Sequence, residues 1–72
     1  MIYTFVRVAS GYYLISPMPQ PAAGRYMIAV GGVLRYYDLT PVEGFWQVMP
    51  VGDETPALPD GTYQVQMAEG QP

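Results

Sequence analysis

Arg25-Tyr26-Met27-Ile28-Ala29-Val30-Gly31-Gly32-Val33-Leu34-Arg35-Tyr36-Tyr37-Asp38 reads as two β-strands folded about a tandem glycine. Gly-Gly admits the positive φ angles that a two-residue type I′ or II′ turn requires. Such a turn fixes the register. It sets Val30 opposite Val33, Ala29 opposite Leu34, Ile28 opposite Arg35, Met27 opposite Tyr36 and Tyr26 opposite Tyr37. Arg25 and Asp38 then meet at the open end, an ion pair that follows from the turn without being imposed on it.

The rest of the chain has the same grammar. Runs of β-branched and aromatic residues alternate with Gly and Pro, and no window carries a helical 3.6 period. Ile2 to Val8 and Tyr12 to Ile15 flank a Ser10-Gly11 turn and form a first hairpin. Its simplest register opposes Val8 to Tyr13 and Val6 to Ile15. One face then carries Thr4, Val6, Val8, Tyr13 and Ile15, and the other Tyr3, Phe5, Arg7, Tyr12 and Leu14. Residues 16–24 (SPMPQPAAG) read as an extended polyproline-like connector. A short connector containing Pro41 leads to a fifth strand, Phe45 to Met49. Pro50 to Gly61 reads as a loop ending in a Pro59-Asp60-Gly61 turn. The last strand, Thr62 to Met67, alternates cleanly, with Tyr63, Val65 and Met67 inward. Residues 1–67 are expected to form one all-β domain, a small antiparallel barrel or sandwich of about six short strands. Residues 68–72 are expected to be a frayed tail.

Seventy-two residues with no Cys and no His hold neither a disulfide nor an ordinary zinc site. A domain this small buries only about 60% of the surface its unfolded chain exposes. Half the residues are apolar and only 12% are charged, about half the usual charged share. Low charge with seven Tyr, two Phe and one Trp describes a surface meant to be covered. The first four strands carry large apolar residues on both faces, whereas a sheet with one wet face should alternate. The second face is therefore expected to meet copies of the chain or a larger protein assembly. The candidate anchors are Tyr12, Tyr13, Tyr36, Tyr37 and Trp46.

Three scattered Arg against six acids, net charge −3, do not supply the basic footprint of a nucleic-acid binder. No run approaches the roughly 20 apolar residues of a membrane helix. No basic-then-apolar leader opens the sequence, so a cytoplasmic protein, in a host cell or a virion, is expected. Without His, Cys or Lys the usual general bases and nucleophiles are missing. Asp53-Glu54 is a solvated loop pair, no calcium-loop pattern occurs, and Gly31-Gly32 precedes no helix that would cradle phosphate. The expectation is a non-enzyme with no cofactor and no metal. Small, Cys-free, aromatic β chains of this character suit virion accessory proteins and phage-type inhibitors of host complexes. The alternative is an oligomer that sequesters a nucleotide-like small molecule with Arg7, Arg35 and Tyr37 at subunit boundaries.

Overall fold

The computed structural model describes residues 1–68, which form six strands and no helix. They are β1 (Ile2–Ala9), β2 (Tyr12–Ser16), β3 (Gly24–Val30), β4 (Val33–Val42), β5 (Phe45–Pro50) and β6 (Gly61–Met67). The strands close into an antiparallel barrel in the order β1-β2-β5-β4-β3-β6, with β6 returning to β1. Barrel and sandwich were both open from the sequence; closure decides for the barrel.

The Gly31-Gly32 hairpin has the register its turn dictates, from Val30↔Val33 to Arg25↔Asp38. Both glycines have positive φ, 61° and 81°. Arg25 Nε lies 2.8 Å from Asp38 Oδ1, and a second bond of 3.1 Å joins Nη2 to Oδ2. The carboxylate raises the Arg25 pKa, first by hydrogen bonding and then by its charge. The pair is solvent-exposed, so it marks register more than it stabilises the fold.

The first hairpin departs from its simplest register. The ladder runs Phe5↔Ile15, Val6↔Leu14 and Arg7↔Tyr13, then Ala9↔Tyr12, leaving Val8 as the extra residue of a β-bulge. A one-residue shift moves every side chain to the other face. Tyr3, Phe5, Tyr13 and Ile15 therefore share the interior, while Val6 and Leu14 face out.

Pro41 does not end β4. The strand continues to Val42 and turns through Glu43-Gly44 into β5, with Val42↔Phe45 closing a third hairpin. β3 begins at Gly24, opposite Leu39. Beyond that point β4 has no neighbour on its β3 side, and the N–H that Pro41 lacks has no partner to lose. Glu43 sits at φ 37° and Gly44 at φ 90°.

One side-chain phase of all six strands fills the cylinder. Tyr3, Phe5, Tyr13, Ile15, Tyr26, Ile28, Tyr37, Leu39, Trp46, Val48 and Val65 are buried, and Tyr63 is partly so. Phe5 packs edge-on against Tyr13 and Tyr63, with ring centroids 6.3 and 6.0 Å away, the arrangement ring quadrupoles favour. Met67 keeps the inward phase but lies at the rim and is exposed, correcting its expected burial. Ala68 is not frayed: its N–H donates to the Arg25 carbonyl at 2.9 Å. The rest of the expected tail, 69–72, lies outside the described residues.

A glutamate held in the left-handed region costs about 1 kcal/mol that asparagine largely avoids. Glu43→Asn should therefore raise stability by roughly 0.5–1 kcal/mol, read as a higher urea midpoint with unchanged slope.

Candidate interaction surface

The two long connections join strands that stand opposite each other in the barrel, β2 to β3 and β5 to β6. Each therefore crosses a mouth. Residues 17–23 strap the mouth where β1 begins, and residues 51–60 strap the mouth where β1 ends. Residues 17–19 form bends, so the first strap is not the uniformly extended polyproline-like strip expected.

Both straps are tied down from inside the barrel. Beneath 51–60, the hydroxyls of Tyr37, Tyr13 and Tyr63 donate to the carbonyls of Pro56 (2.8 Å), Leu58 (2.5 Å) and Pro59 (2.6 Å). Arg35 Nη1 adds a 3.2 Å bond to the Glu54 carbonyl. Leu58 is drawn into the core. Across the other mouth, Tyr26 donates to the Ala22 carbonyl at 2.7 Å and Tyr3 to that of Pro19 at 3.4 Å. Trp46 Nε1 donates to Gln20 Oε1, while Gln20 Nε2 donates to the Ile15 carbonyl, both at 2.9 Å. The β2–β5 ladder pairs only Tyr12↔Gln47 and Tyr13↔Trp46. The Gln20 side chain thus bonds β2 just past the end of that ladder.

This arrangement redistributes the five expected anchors. Tyr13, Tyr37 and Trp46 are buried, with exposures of 0%, 0% and 4%, and their polar atoms are taken up by the straps. They hold the straps from inside the barrel and are not exposed on its outer surface. Tyr12 and Tyr36, one residue earlier in each Tyr-Tyr pair, lie outside because successive residues of a strand face opposite ways. Nothing in a Tyr-Tyr pair says which ring turns inward; the phase of the neighbouring strand residues does.

Arg7, Arg35 and Tyr37, the alternative ligand set, do gather at the 51–60 mouth, but β1 and β4 are on opposite sides of the cylinder with the strap between them. A cleft of about 400 Å³ beside Arg7 is lined also by Ala57, Leu58, Pro59 and Asp60. Asp60 accepts from the Arg7 backbone N–H at 2.9 Å, which ties the strap to β1. Arg35 Nε is buried without a partner among the described residues. The 51–60 strap covers that mouth, and the Tyr37 hydroxyl already donates its proton to the Pro56 carbonyl. Among the described residues no group of three Asp or Glu is placed to hold a metal ion.

The outer surface is divided. On β6 the outward residues are polar: Thr62, Gln64 and Gln66 are exposed, and the Thr4 and Thr62 hydroxyls bond at 2.8 Å, although exposed Ile2 stands opposite Gln64. Across β1, β2, β5 and β4 one level is apolar, while the next outward pair along β4 and β5, Thr40 and Gln47, is polar. Val6 stands opposite Leu14. Tyr13 facing Trp46 sets Leu14 beside Phe45, and Phe45 stands opposite Val42. This four-strand row, Val6–Leu14–Phe45–Val42, is 39–46% exposed at every position. Leu34, Tyr36 and Met49 make a second exposed group nearer the other mouth.

Comparison with family models, curated proteins and solved structures finds no match.

Gln20→Ala removes both bonds of the Trp46–Gln20–Ile15 link and should cost about 1–3 kcal/mol in urea unfolding. A second outcome concerns pH. Burial is the first cause of raised pKa values at Tyr13, Tyr26, Tyr37 and Tyr63. The fold favours the neutral phenols, so their contribution is complete below the unfolded value near pH 10. It is lost as pH climbs from there through the folded pKa values, at up to about 1.4 kcal/mol per pH unit for each tyrosine. Thermal midpoints should fall steeply above pH 10, with phenolate absorbance rising at the same transition.

Proposed function

We propose that the protein is a non-enzymatic interaction module, working as an oligomer or as a small subunit docked on a larger assembly, and that its contact face is the apolar outer wall. The observation that carries this reading is the Val6–Leu14–Phe45–Val42 row: four adjacent strands each place a half-exposed apolar side chain at the same level. Scattered apolar residues on a surface need no account, but contiguous ones with polar surroundings mark interaction sites. Tyr12 flanks the row and Tyr36 lies in the second apolar group, so two of the five candidate anchors remain available for contact. Recognition would be steric, by flat aliphatic and aromatic packing, with little contribution from charge. Small subunits of virions and phage-type inhibitors of host complexes are proteins of this character.

A photo-cross-linking amino acid placed at Phe45 in cells of the natural source should give discrete adducts, and the same group at Gln64 should give none. Equal labelling from both positions, or none from Phe45, would count against the wall as a contact face.

A further inference from the structure

We infer that the cleft beside the 17–23 strap binds a small neutral molecule, an apolar ring bearing one hydrogen-bond acceptor, with the Tyr3 hydroxyl as the donor. The site is at the mouth where β1 begins and does not depend on the outer wall. A cleft of about 330 Å³ opens there, within the size range of small-molecule pockets. Tyr3, Tyr26 and Val65 line it from the barrel, residues 19–22 from the strap, and Met1 and Met67 complete it.

The two mouths are filled differently. Beneath 51–60 the strap sends Leu58 into the core. The 17–23 strap buries only Pro21, and its other side chains leave the cleft open.

The polar groups around the cleft are occupied with one exception. Tyr26 donates to the Ala22 carbonyl at 2.7 Å, the Gln20 amide is bonded at both ends, and the Met1 amine donates to the Val65 carbonyl at 3.2 Å. Four of the five tyrosines that reach a strap do so at 2.5–2.8 Å. Tyr3 stands 3.4 Å from the Pro19 carbonyl, beyond the usual O–H···O range of about 2.5–3.0 Å. Yet Tyr3 is only 4% exposed. A buried hydroxyl so loosely held has lost water without gaining a full bond. An acceptor entering the cleft would supply that bond.

The remaining lining sets the chemistry of the ligand. Tyrosine rings, proline rings and Val65 offer apolar contact. No charged side chain lines the cleft, so an ionised ligand would give up its hydration without meeting a side chain of opposite charge. Met1 and Met67 are exposed, and their unbranched thioethers can fold over a ring of varied shape.

The probe is acetophenone, a ring with one carbonyl, compared with ethylbenzene, which lacks the oxygen, and benzoate, which is charged. Methionine methyl resonances report the place of binding. Acetophenone should shift Met1 and Met67 with a Kd of roughly 1 mM or tighter and leave Met27 and Met49 unmoved. Ethylbenzene should bind about fivefold more weakly, for want of one hydrogen bond. Tyr3→Phe should reduce acetophenone to the level of ethylbenzene and leave ethylbenzene unchanged. Ala22→Phe, at an exposed strap position, keeps the carbonyl that Tyr26 uses and should abolish binding by filling the cleft. If Tyr3→Phe fails to fold, Ala22→Phe and the comparison of probes still decide. No shift at Met1 and Met67, shifts centred on Met49, or binding that survives Ala22→Phe overturns the site. Equal binding of acetophenone and ethylbenzene overturns Tyr3 as the donor, and tighter binding of benzoate overturns the neutral ligand.

Discussion

A proline brings a carbonyl into a protein without the N–H that ordinarily accompanies it. A connection rich in proline therefore has more acceptors than it can satisfy from within, and here two such connections must lie across the mouths of a barrel. The donors come from the cylinder wall. Tyrosine and tryptophan carry a donor at the tip of a large apolar body, so a single side chain fills the interior and reaches the strap above it. Five tyrosines and Trp46 do this. Each carbonyl left unbonded beneath a strap would cost about 1–3 kcal/mol, a large share of the stability of so small a domain. The aromatic content of the chain and its proline content are two halves of one solution.

How much of this is legible in the sequence depends on whether the information is local. The Gly31-Gly32 hairpin can be read to the residue, because its turn allows one register and an ion pair checks it. The first hairpin has an equally clear turn, yet both faces of its strands are apolar. Nothing in Thr4, Val6 and Val8 against Tyr3, Phe5 and Arg7 says which set goes inside, and the bulge at Val8 reverses the simplest answer. Pro41 suggests a break only until β3 is known to end short of it. The Trp46–Gln20–Ile15 link joins three distant segments and has no sequence signature at all.

The doubly apolar strands have a two-part explanation. The inner phase is consumed by closure, which needs no second molecule. The outer phase is mixed, polar on β6 and carrying an apolar row across β1, β2, β5 and β4. The adjacent tyrosines show the division most plainly. In Tyr12-Tyr13 and Tyr36-Tyr37 the second ring is structural and the first faces outward, so residues that look like one aromatic cluster serve opposite sides of the same wall.

The place of β6 in the ring has a consequence for how the molecule comes into being. It is the strand that joins β1 to β3, and it lies at the far end of the described chain from β1. Until residues 61–67 have left the ribosome, β1 and β3 each present an unsatisfied backbone edge, and the interior tyrosines stand in an open trough. Local hairpins can form early, but the cylinder is sealed by pairings that span nearly its whole length, the kind that form slowly. The nascent chain is consequently most prone to mispairing until β6 has emerged, and β6 acts as the latch that ends that exposure.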